Sequence, residues 1–244
     1  MLTLQNVSVN YGGTAALAGV DLTVAKGELV CLIGPSGAGK STLLGLLNGR
    51  LLPDGGDVLF EGESLGARSG KRLRQVRQRV AWIPQNLGLV GSLRVNQNVA
   101  CGRVAQKGAF GLMRSYLVMS KAESGEIHDL LARLGIAEKL YERVDHLSGG
   151  QQQRVAVARA LFQKPDVILA DEPVSAVDPE RARDLIELLT RLAREENLAL
   201  VASLHDVALA RTYFDRIIGL RAGAIVFDGE ANEAGVRELY RIER

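Results

Sequence analysis

Gly34-Pro35-Ser36-Gly37-Ala38-Gly39-Lys40-Ser41, with Thr42 beside it, fits the pattern G-x-x-x-x-G-K-[ST] of a phosphate-binding Walker A loop. Its flanks decide the fold. Leu29-Val30-Cys31-Leu32-Ile33 is an unbroken apolar run and reads as a buried strand, and Ser41 to Leu47 reads as a helix. A loop between strand and helix is the setting this motif requires. Its glycines let backbone approach a phosphate chain with no Cβ in the way. Successive N–H groups and the helix N-terminus add partial positive charge. Lys40 is placed for β- and γ-phosphates, and the Ser41 hydroxyl for Mg²⁺. A glycine-rich turn that merely caps a helix is the plainer alternative. Kinases, GTPases, motors and transporters all use such a loop, so it does not name a function.

Outward from the loop, the chain reads as α/β. Leu2 to Val9 and Val20 to Val24 alternate as strands, with Tyr11-Gly12-Gly13 as a turn. Leu52-Pro53-Asp54-Gly55-Gly56 is a breaker cluster, followed by a short strand from Asp57 to Glu61. Lys71, Arg72, Arg74, Arg77 and Arg79 make a basic helix that reads as a solvated face, and Val80 to Pro84 a strand. Between residues 92 and 146 strand signals vanish. Val95 to Cys101, Phe110 to Met119 and Glu126 to Leu134 read as helices, Gly135 as a C-cap, and Lys107-Gly108 and Ser120 to Gly125 as loops. A helix starts at Leu147 to Gln151 and runs to about Gln163. Val167 to Ala170 has the composition of a central parallel strand. Pro179 starts a helix striped with Ala182, Leu185, Ile186, Leu189, Leu192 and Ala193. Leu198 to Ser203 is a strand, Asp206 to Thr212 a helix, and Arg216 to Asp228 a hairpin around Arg221-Ala222-Gly223; Gly235 to Tyr240 is a last helix. The expected domains are a catalytic body, residues 1–91 and 147–244, and an inserted helical subdomain, residues 92–146.

The chain has 244 residues, 47% hydrophobic, and a formal net charge of +2, so composition gives no nucleic-acid surface. Cys31 and Cys101 make no disulfide framework; Cys31 reads as a small core residue, and the usage suits a reducing compartment. No signal peptide and no apolar run of membrane-spanning length is evident, so a soluble protein is expected, with any membrane role exercised through partners.

Val167 to Glu172 is a Walker B strand. Asp171 at its end suits Mg²⁺, and Glu172 suits a carboxylate that accepts a proton from water. Acidic residues after a strand also serve as plain caps. Leu147-Ser148-Gly149-Gly150-Gln151 places an N-cap serine and two glycines at a helix start, which turns a positive dipole toward an anion.

With these motifs in hand, the chain resembles the ATP-binding cassette (ABC) ATPases over essentially its whole length. The resemblance implies a P-loop fold: a mostly parallel core sheet, an N-terminal antiparallel β subdomain and the inserted helical subdomain. It gives Ser148, Gly149, Gly150 and Gln151 the role of binding the γ-phosphate of ATP held by a second subunit. Tyr11 matches the aromatic that stacks on adenine, against a plain strand-end core tyrosine. Gln85 matches the Q-loop glutamine that meets Mg²⁺ and the lytic water. Ser175-Ala176-Val177-Asp178 resembles the D-loop, with valine for the family's usual leucine. His205 matches the switch histidine at the γ-phosphate; a lone histidine is more often structural.

Repair and chromosome ABC proteins carry long insertions between the Walker motifs, and translation types carry two cassettes. A lone compact cassette is similar to importer ATPase subunits, with lipid or lipoprotein exporters as the competitor. Asn6 to Val9, Leu169 to Val174, Ser203-Leu204-His205, Ile218 to Gly223 and Arg237 to Tyr240 resemble the phosphonate importer ATPases. That resemblance implies a homodimer using ATP and Mg²⁺, peripheral on the cytoplasmic face of the cell membrane. Its partners would be integral membrane permease subunits and a periplasmic or lipid-anchored substrate-binding protein. Phosphate, phosphite or a polar amino acid are alternative cargoes. Gln97 stands where that family usually has glutamate, near the expected permease contact. A P-loop kinase has no use for L-S-G-G-Q, and a GTPase needs an N-K-x-D motif that the chain lacks.

Overall fold

β1 (Leu2–Tyr11), β2 (Thr14–Val24), β3 (Leu29–Ile33), β4 (Gly55–Phe60), β5 (Glu63–Ser64), β6 (Val80–Ile83), β7 (Val167–Asp171), β8 (Ala199–Ser203), β9 (Arg216–Arg221) and β10 (Ala224–Gly229) fall into two sheets. The computed structural model describes residues 1–66, 70–104, 106, 119–174 and 178–240. The first sheet is antiparallel, in the order β2-β1-β4-β5. The second runs β10-β9-β3-β8-β7-β6, with β9, β3, β8, β7 and β6 parallel and β10 antiparallel at one edge.

β3 shows why this layering follows from the sequence. All five of its side chains are buried. Leu29, Cys31 and Ile33 face a core shared with the helices, while Val30 and Leu32 face the core beneath the antiparallel sheet. Side chains alternate across a strand, so a strand covered on both faces must be apolar at every position. β7 follows the same rule, with Val167 and Leu169 on one side and Ile168 and Ala170 on the other.

The helices are α1 (Lys40–Leu47), α2 (Gly70–Arg79), α3 (Val95–Ala100), α4 (Lys121–Arg133), α5 (Gly149–Phe162), α6 (Pro179–Glu195), α7 (Val207–Tyr213) and α8 (Glu233–Leu239). The apolar stripe of α6 is buried as its 3.6-residue period requires, and Pro179 occupies its first turn. Among the described residues no helix is long and apolar enough to cross a membrane.

Four expectations change. β2 starts at Thr14 rather than Val20, because Thr14, Ala15 and Leu17 pair with Tyr11, Asn10 and Val9 of β1. Ser120 to Gly125 is not a loop: the Ser120 side chain accepts the Glu123 N–H at 3.1 Å and caps α4, which therefore starts at Lys121. β4 begins at Gly55, inside the expected breaker cluster, because the segment pairs with β1 at Ser8. The basic helix is not merely solvated. Arg79 holds both Glu61 oxygens, at 2.6 and 2.7 Å, and Arg77 donates to the Gly49 carbonyl at 2.6 Å. The expected helix from Phe110 and the loop at Lys107-Gly108 lie outside the described residues, apart from Met119, and so do Ser175, Ala176 and Val177.

Candidate functional site

Adjacent parallel strands end on the same side of a sheet, so residues just past β3, β6, β7 and β8 meet there. The 34–39 loop follows β3, Gln85 follows β6, Asp171 and Glu172 end and follow β7, and Ser203 and His205 end and follow β8.

The loop is shaped by its glycines and by distant backbone. A Cβ on Gly34, at φ +153°, would lie 2.1 Å from the Leu220 carbonyl oxygen. One on Gly39, at φ +105°, would lie 2.5 Å from the Ala16 oxygen. Neither position accepts a larger residue without moving the backbone. The turn of the β9–β10 hairpin closes the arrangement: the Gly223 N–H donates to the Ala38 carbonyl at 3.1 Å, and the Ala18 N–H to the Gly223 carbonyl at 2.9 Å.

Lys40 opens α1 and is buried. Its Nζ donates to the carbonyls of Gly34, at 2.7 Å, and Pro35, at 3.0 Å, so the cation lies against the loop. Burial pushes this ammonium below the usual lysine range, and the nearby Glu172 and Asp171 push it back up. Pro35, Ser36, Gly37 and Ala38 complete the loop, and Ser41 and Thr42 follow on α1. Ser41, Thr42, Tyr11, Arg50, Trp82 and Asp171 line one cavity of about 360 Å³. Tyr11 is 52% exposed there, which excludes a core tyrosine. A hydroxyl and a carboxylate in one cavity are hard oxygen donors of the kind Mg²⁺ takes alongside phosphate oxygens, so the residues fit that ion.

Glu172 is the hub of the strand ends. Its Oε2 accepts from Gln85 Nε2 at 2.9 Å, and its Oε1 pairs with His205 Nε2 at 2.6 Å. Its backbone sits at φ +46°, a conformation L residues other than glycine adopt uncommonly. A carboxylate gripped from both sides has a fixed direction, which a general base needs.

The other expected residues form a separate group. The Ser148 N–H donates to Gln151 Oε1 at 3.0 Å, and the Gln151 N–H to Ser148 Oγ at 3.4 Å, a capping box at the start of α5. Gly149 and Gly150 form its first turn. Asp178 caps α6, accepting the Arg181 N–H at 3.1 Å and pairing with Arg181 Nε at 3.2 Å. Among the described residues no hydrogen bond or ion pair joins Ser148, Gln151 or Asp178 to Lys40, Asp171, Glu172, Gln85 or His205. Arg94 donates its N–H to Gln97 Oε1 at 2.9 Å, so Gln97 caps α3.

Sequence reasoning missed two features. Ser203 lies between Asp171 and Glu172; the available signal was a serine ending an otherwise apolar strand two residues before His205. The second is a cavity of about 420 Å³ lined by Asn48, Trp82, Pro84, Cys101, Val104 and Arg159, among others. Asn48 Nδ2 and Trp82 Nε1, from two of these lining residues, are buried with no hydrogen-bond partner among the described residues.

Comparison with known proteins bears on this site. A sequence model described as ABC transporter matches residues 17–175. A phosphonates import ATP-binding protein of Pseudomonas syringae is 48% identical, covering 98% of this chain and 89% of that one. One of Cupriavidus metallidurans is 44% identical over 98% of this chain and 86% of its own length. Among solved structures, a dimeric ATP-binding cassette in a post-hydrolysis state with ADP and Pi superposes with a TM-score of 0.80, at 30% identity, over 95% of this chain and 99% of that one. The protein cbiO1 of Clostridium perfringens, part of the ABC transporter complex cbiONQ, gives 0.82 at 28% identity over 97% and 91%.

Proposed function

This chain belongs to the ABC transporter family, as an ATP-binding protein, and from that premise we propose that it is the ATPase subunit of a phosphonate importer. The observation that carries the chemistry is the Glu172 carboxylate, held between Gln85 and His205 beside the phosphate loop. Loop N–H groups and Lys40 hold the triphosphate, Thr42 lies beside them, and Tyr11 stacks on the adenine. Ser41, Asp171 and Gln85 would hold Mg²⁺, which supplies positive charge against the phosphate oxygens. Glu172 takes a proton from water as it attacks the γ-phosphorus, giving ADP and phosphate, and His205 keeps that carboxylate aimed. Ser148, Gly149, Gly150, Gln151 and Asp178 are spent on helix starts and point to use across a dimer, where a second copy's nucleotide meets them.

The remaining assignments rest on the same premise. The chain divides into a catalytic body, residues 1–91 and 147–244, and a helical subdomain, residues 92–146. The permease seats on the cavity lined by Trp82, Pro84, Gly88, Cys101 and Arg159, which lies between the strand end before Gln85 and the helical segment that follows Gln97. The subunit is peripheral, on the cytoplasmic face of the membrane, and a substrate-binding protein outside delivers the cargo. Phosphonate as cargo is supported by the names of the relatives, since no residue of this subunit touches it.

ATP turnover of the reconstituted importer across a ligand panel tests the reading. Binding protein loaded with an alkylphosphonate should stimulate turnover. Stimulation by phosphate or a polar amino acid, with none by any phosphonate, would overturn the cargo and leave the ATPase intact.

A further inference from the structure

Ser203 ends β8 directly opposite Asp171 in the β7–β8 register and is fully buried. Its hydroxyl both donates and accepts. Oγ–H donates to Asp171 Oδ1 at 2.8 Å, and the oxygen accepts the Glu172 N–H at 2.9 Å. One side chain therefore holds the carboxylate of one acidic residue and the backbone of the next. The second grip matters because Glu172 lies at φ +46°, where its side chain is turned toward Gln85 and His205. The first matters because Asp171, itself buried, lines the cavity shared with Ser41. The Ser203 bond to Oδ1 fixes the direction of this carboxylate.

We propose that Ser203 is a positioning residue: its hydroxyl aims Asp171 at the metal and locks the left-handed backbone that aims Glu172 at water. This rests on the ATPase reading above. A residue that orients a metal-facing carboxylate acts on metal affinity, whereas a serine that merely satisfies a buried N–H does not. Partners of this kind change metal affinity or activity by about 10–100-fold when removed.

Trp82 is the single tryptophan and lines the same cavity as Asp171, so its fluorescence reports Mg²⁺ binding in the presence of ADP without turnover. In Ser203→Ala the half-saturating Mg²⁺ concentration should rise about 10–100-fold, ADP binding without metal should hold, and the Glu172 amide should exchange faster with solvent. Ser203→Thr keeps the hydroxyl and should restore the wild-type titration. If Ser203→Ala does not fold, Ser203→Cys, of similar shape with a weak donor, carries the same expectation at smaller size. An unchanged Mg²⁺ titration with unchanged amide protection overturns the proposal, as does a threonine variant that titrates like alanine. Wild type without Mg²⁺-dependent ATP turnover would instead sink the ATPase reading, which keeps the two failures apart.

Discussion

The strand-end cluster and the signature turn are both assigned to one nucleotide, yet they are built in opposite ways. Gln85, Asp171, Glu172, Ser203 and His205 are joined by hydrogen bonds between residues 31 to 87 positions apart. Ser148 and Gln151, or Asp178 and Arg181, join residues three apart. The first group exists only when the sheet exists. The second comes with its helices and turns its free surface outward. On the reading proposed above, a site made of one pooled half and one local half is complete only when two copies meet.

The largest expected effect comes from the pooled half. Glu172→Gln keeps the shape and removes the base, so hydrolysis should slow by about 10²–10⁴-fold and an ATP-bound dimer should accumulate, visible by light scattering. A variant that binds ATP at saturation yet stays monomeric would dissolve the two-copy reading. The local half should respond differently. Ser148→Ala removes a cap worth about 1 kcal/mol, read by urea unfolding, and should weaken the ATP-bound dimer. Nucleotide binding by the single protomer should not change; a loss there would place both halves within one chain. The smallest effect is Gln97→Glu. A carboxylate accepting the same Arg94 N–H at a helix start should stabilise by about 0.3–1 kcal/mol, with the isolated subunit's turnover unaltered. A measured destabilisation would show that Gln97 does more than cap.

How much of this was legible in the sequence follows the same division. The phosphate loop, the signature and the Asp178-Pro179 helix start are short-range patterns, and each can be read where it stands. Glu172 is read from its place after an apolar strand, and Gln85 and His205 from family resemblance, but their shared hydrogen bonds depend on which strands are neighbours. Ser203 ends an apolar strand two residues before His205, which is a local signal, but its partners are set by the β7–β8 register, which no local pattern encodes. Arg79 looked solvated because its carboxylates, Glu61 and Asp166, lie far along the chain. The start of α4 was missed because the Ser120–Glu123 cap precedes the first apolar period that announces the helix.

The turn of the β9–β10 hairpin has a consequence for biosynthesis. The loop at residues 34–39 leaves the ribosome early, while Leu220 and Gly223, which press and tie it, come near the end of the chain. A nascent chain that has emerged through α7 carries the phosphate loop, Gln85, the signature turn, Asp171, Glu172 and His205, and still lacks the buttress that shapes the first of them. Competence for nucleotide therefore arrives late in translation rather than growing with length, and a chain cut before Arg216 keeps the motif without the loop's support.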